Sequence, residues 1–105
     1  MAAPYNPPVK GEDFICYIAL EDPATPGSFK ANPTIAAGDF KVSKDGGALA
    51  NLNTLPAVTP ASSIWVKITL SATEMDADNV AVQCIDQTAT KEWADFAFSI
   101  PTTSA

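Results

Sequence analysis

A chain of 105 residues with 12 acidic and 6 basic side chains, formal charge −6, is long enough for one domain that buries roughly two-thirds of its unfolded surface. It has no histidine and no arginine, which excludes Ser-His-Asp and Cys-His nucleophile systems, histidine-bearing zinc sites and a bidentate guanidinium clamp within the chain. An acidic surface repels phosphate backbones and anionic lipid, so neither nucleic acid nor a membrane is an expected partner.

Residues 1–12, "MAAPYNPPVKGE", hold three prolines and a glycine. Proline lacks the amide donor and fixes φ, so the segment reads as an extended arm, either a frayed terminus or an arm laid on a neighbouring subunit. Tyr5 is its candidate contact residue. The apolar run "FICYIAL" (14–20) is far short of the ~20 residues of a spanning helix. It follows the acidic "KGED", unlike a secretory signal, so synthesis in the cytoplasm is expected. Within "DFICYIALE" (13–21) both faces are apolar: Phe14, Cys16, Ile18 and Leu20 on one, Ile15, Tyr17 and Ala19 on the other. This suits a central strand, or one whose second face meets something else. The stretch 22–38, with three prolines and two glycines, is long for a connection and must be functional or pinned down elsewhere.

Phe40 and Val42 alternate with polar neighbours, and Asp45-Gly46-Gly47 supplies the positive φ of a tight hairpin, from which "ALANL" returns. "SIWVKITL" (63–70) aligns Ile64, Val66, Ile68 and Leu70 on one face, with Trp65, Lys67 and Thr69 on the other. "NVAVQCID" (79–86) aligns Val80, Val82 and Cys84, and "EWADFAFSI" (92–100) sets Phe96, Phe98 and Ile100 against Trp93, Asp95, Ala97 and Ser99. The period is two almost throughout. It predicts an all-β, immunoglobulin-like antiparallel β-sandwich of about six to eight strands over residues 13–101, followed by a short tail, 102–105.

The densest group of reactive side chains is Glu74, Asp76 and Asp78 in "LSATEMDADNV". Ser71 and Glu74 have capping-box spacing, which predicts one short helical turn near 71–76 and gives Glu74 a structural task. The spacing lacks the glycine and distal glutamate of an EF-hand. A solvated corner is therefore expected: no catalytic residue, no cofactor and no metal site. Strand, turn, then a strand carrying Cys resembles the passage between strands E and F of immunoglobulin-like domains. That resemblance would face Cys16 with Cys84, although Val82 stands where a tyrosine is usual. A disulfide and two buried free thiols are both compatible, and a cytoplasmic origin favours the thiols.

The segments "AGDFKVSKDGGALANL" and "LPAVTPASSIWVKITLSATEMDADNVAVQCID" resemble small proteins and domains encoded in tailed-phage structural gene clusters. Residues 44–47 and 70–78 are the most specific part, and the likeness covers roughly 37–98. It implies a non-enzymatic virion component that docks onto other virion proteins: first a capsid decoration or cement protein bound to the major capsid protein. The alternative is a tail or baseplate adaptor or fibre base. Many copies or a homo-oligomer, located in the virion, go with it. The residues expected to meet partners are Tyr5, Tyr17, Trp65 and Trp93, the two tryptophans because both fall on the polar side of their strands. The same aromatics beside Asp95 would also suit a carbohydrate- or host-surface-binding module.

Overall fold

The computed structural model describes residues 7–103. Seven strands form among them: β1 (Phe14–Ala19), β2 (Phe40–Lys44), β3 (Ala50–Asn51), β4 (Ala57–Val58), β5 (Trp65–Leu70), β6 (Asn79–Cys84) and β7 (Phe96–Pro101). They pair antiparallel in two sheets, ordered β1-β5-β4 and β3-β2-β6-β7. β1, β5 and β4 thus occupy the places of strands B, E and D of an immunoglobulin-like sandwich, and β3, β2, β6 and β7 those of C′, C, F and G.

Alternation decides which side of each strand enters the core. Val66, Ile68 and Leu70 of β5 and Val80, Val82 and Cys84 of β6 are all buried, whereas Lys67, Thr69, Ala81 and Gln83 between them stay partly exposed. Each such buried aliphatic side chain contributes about 1.5–3 kcal/mol of transfer free energy. Between β2 and β3 the turn is closed by the Gly47 N–H donating to the Lys44 carbonyl at 2.9 Å. Its two central residues, Asp45 and Gly46, have φ of 51° and 78°, the paired positive φ that matches strand twist in a tight hairpin.

The 71–76 corner is a hydrogen-bonded turn, and no helix forms among the described residues. Both capping-box bonds are nevertheless made: Glu74 N–H to Ser71 Oγ at 3.2 Å and Ser71 N–H to Glu74 Oε1 at 2.8 Å. The expected helical turn fails to develop because β6 begins at Asn79, leaving no length to propagate it. Met75 fills the space beneath and is fully buried.

The start of the described chain is tied down. Val9 makes a parallel bridge with Thr103, the Thr103 N–H reaches the Pro8 carbonyl at 2.8 Å, and the Gly11 N–H reaches the Met75 carbonyl at 3.0 Å. Residues 8–11 and 102–103 therefore belong to the sandwich's hydrogen-bonded edge. Tyr5 lies outside the described residues.

The largest departure from simple alternation is Trp93. β7 begins at Phe96, not at residue 92, and Trp93 turns into the core with no exposed surface. Its ring meets Phe40 at 6.0 Å between centroids, and its Nε1–H donates to the Cys84 carbonyl at 3.0 Å. Residues 92–94 leave the strand path because their amides are taken elsewhere: Glu92 N–H by the Asp86 carboxylate at 2.8 Å, Ala94 N–H by the Glu21 carbonyl at 2.9 Å. Trp93→Ala should lower unfolding free energy by about 3–5 kcal/mol, read as a shifted urea midpoint. Trp93→Phe, which keeps most of the volume but loses the indole's bond to the Cys84 carbonyl, should lose less.

Candidate functional site

Two outer sheet faces remain once the core is closed. On the β1-β5-β4 face the antiparallel register sets Ile15 opposite Thr69, Tyr17 opposite Lys67, and Ala19 opposite Trp65, with Ala57 of β4 beyond Lys67. Trp65 is 45% exposed and Tyr17 39%. The loop after β4 curls over this face, held by Thr59 N–H donating to the Trp65 carbonyl at 3.1 Å. Tyr17, Thr59, Pro60 and Trp65 line an open hollow of about 460 Å³. On the opposite face, Gln83 and the short side chains of Ala81, Ala97 and Ser99 border a hollow of about 380 Å³ beside the exposed Leu49.

Charge is distributed in a way that bears on both faces. None of the seven strands contains an aspartate or glutamate. The carboxylates sit in the connections at the two ends of the sandwich. Three are nearly inaccessible: Asp39 at 2%, Asp86 at 2% and Glu74 at 6% exposure. Each is occupied by backbone amides. Asp39 accepts from Ala36 N–H at 2.9 Å and Gln87 N–H at 3.0 Å. Glu74 adds Asn53 N–H at 2.8 Å to its bond from Ser71. Asp86 accepts from Thr88 N–H, Thr88 Oγ1–H and Glu92 N–H. Among the described residues no buried side-chain nitrogen or oxygen lacks a partner.

These bonds answer what the 74–78 group does. Glu74 points inward to amides, Asp76 is exposed, and Asp78 pairs with Lys10 at 3.1 Å. The three carboxylates diverge, and among the described residues no three acidic, cysteine or histidine side chains converge on a metal-sized space. Cys16 and Cys84 are free thiols. Burial pushes Cys16 up to about 11 and Cys84 up to about 12, the nearby Cys16 adding to the latter. At neutral pH both are protonated and weakly nucleophilic.

Of the residues expected to meet partners, the structure places Tyr17 and Trp65 together on one face and removes Trp93 to the core. Thr59 and Pro60 were missed. Their only sequence signal, a proline in a Pro/Thr-rich connection, marks a loop without telling which face it will cover.

For Asp86, desolvation pushes the carboxyl up, but the bonds from Glu92 and Thr88 and the nearby Lys91 outweigh it and hold it below its ordinary value. A carboxyl depressed in the folded state stabilises the fold above the unfolded value, about 3.9, and that contribution is lost as pH falls through the lower folded value. Asp86→Asn should therefore lower the urea midpoint at neutral pH and flatten its decline below about pH 4.

Set against protein-family models, curated proteins and solved structures, the chain matches none of them.

Proposed function

We propose that this protein is a non-enzymatic virion component of tailed-phage type that docks onto other virion proteins, first among them a capsid shell protein that it decorates. A tail or baseplate adaptor is the nearest alternative and uses the same surface. The sequence resemblance over roughly 37–98 supplies the setting. The observation that carries the docking reading is the exposed Tyr17–Trp65 pair on a sheet face free of carboxylates.

The physical case rests on what that face costs to leave in water. Two large aromatic rings stand exposed beside the stem of Lys67, the face's one charged side chain, although the domain has buried every other apolar residue of β5. Covering the remaining surface of an indole and a phenol removes enough apolar area to contribute about 2–3 kcal/mol. Acidic side chains are confined to the ends, so a partner can approach without desolvating a carboxylate, the costliest group to bury. A glycan-binding reading is weakened by the structure, because Trp93 is in the core.

In the isolated protein the two tryptophans should emit differently, Trp93 as a buried indole and Trp65 as a solvated one. Mixing the protein with particles assembled without it should shift only the Trp65 component to the blue. Trp65→Ala should weaken co-sedimentation by about 2 kcal/mol. Unchanged emission and unchanged co-sedimentation would remove this face from the account.

A further inference from the structure

The flat part of the Tyr17–Trp65 face is small. Two six-residue strands about 20 Å long and the two-residue β4, ~4.8 Å apart, give roughly 200 Å², whereas one side of a standard protein–protein interface covers ~800 Å². That area suits one extended peptide better than a second folded surface. A second copy fits poorly for another reason: it would bring together two bodies of formal charge −6.

The hollow's chemistry narrows the peptide. Tyr17 pairs with Lys67, and Trp65 lies two residues from Lys67 on the same side of β5. The two aromatic residues are thus diagonal neighbours, about 7–8 Å apart, with Pro60 lining the same hollow. Grooves lined by aromatic rings and proline take polyproline II segments, which present a preformed apolar ridge at low entropic cost. A saccharide needs converging carboxylates and amides. None lines this hollow, and the Thr59 hydroxyl is turned to the Ala57 carbonyl at 3.4 Å.

Charge at the ends of the face sets the flanks. Glu21 and Asp22 follow Ala19 at the Trp65 end of β1, and Asp13 precedes it at the other. Glu21 uses Oε2 on the Gly27 amide at 3.1 Å, and Asp22 uses Oδ1 on the Ala24 amide at 2.9 Å. In both, the second carboxylate oxygen faces no donor among the described residues.

We propose that the Tyr17–Trp65 hollow binds an extended, proline-containing peptide segment flanked by lysine or arginine, contributed by a partner protein. This rests on the docking reading above and specifies what the docked element is. The test uses the full chain and three probes: a synthetic peptide with a proline-rich centre and lysine ends, the same peptide with glycine in place of each proline, and soluble oligosaccharides.

Binding is followed by the two indole N–H signals and by anisotropy of labelled peptide. The proline peptide should shift the Trp65 signal saturably, leave that of Trp93 in place, and bind more weakly as salt rises. The glycine peptide, Trp65→Ala and Tyr17→Ala should each weaken binding about tenfold or more, roughly 1.4 kcal/mol, compared at a temperature and denaturant-free condition where both variants are shown by their unfolding curves to be folded. Equal binding of the glycine peptide, indifference to both substitutions, competition by an oligosaccharide, or no binding at all would overturn the proposal. If the peptides fail while particles still shift Trp65 emission, only this inference falls. If neither shifts Trp65, the docking reading falls with it.

Discussion

Bonds from backbone amides to carboxylates hold the ends of this sandwich together. The connections 22–38, 52–56 and 86–95 have almost no ladder partners of their own, so their N–H groups need acceptors. Asp39, Asp86, Glu92 and Glu74 supply several of them, accepting from Ala36 and Gln87, Thr88 and Glu92, Thr34, and Asn53 respectively. A hydrogen bond to an ionised acceptor contributes about 1.5–3 kcal/mol, and a buried amide left without one costs about as much. With only seven short strands, the loops depend on these bonds for their positions.

The arrangement separates charge from surface. Carboxylates spent at the ends leave the strands free of acid, so the outer faces carry lysine, small, amide, hydroxyl and apolar side chains but no carboxylate. Trp93 depends on the same bonds: Asp86 takes the Glu92 amide, bends the chain off the β7 path, and delivers the indole into the core beside Phe40. Trp65, within a regular strand, stays outside with Tyr17. Two tryptophans that look alike in the sequence thus take opposite positions, one in the core and one on an exposed sheet face.

Much of the fold can be read from local pattern, because period two and turn chemistry are local properties. β2, β5 and β6 and the inward set Val66, Ile68, Leu70, Val80, Val82 and Cys84 follow from alternation, β1 from its short apolar run, and the Asp45-Gly46 turn from turn chemistry. Three features do not. Trp93 sits where alternation would put an outward residue, and its inward turn is decided by an acceptor, Asp86, seven positions earlier. The Ser71–Glu74 pair carries a helix-start signature but has no room to continue before β6. Of the face that carries the hollow, Trp65 and Tyr17 show as aromatics out of phase with the core, whereas Thr59 and Pro60 arrive by a loop path that no periodicity encodes.

Amide hydrogen exchange resolved by residue tests the central claim most directly. Asn53, Gln87 and Glu92 lie outside every strand, yet their N–H groups donate to nearly inaccessible carboxylates. They should exchange on the timescale of the β5 and β6 amides. Exchange at the rate of open, solvated loops would contradict the account.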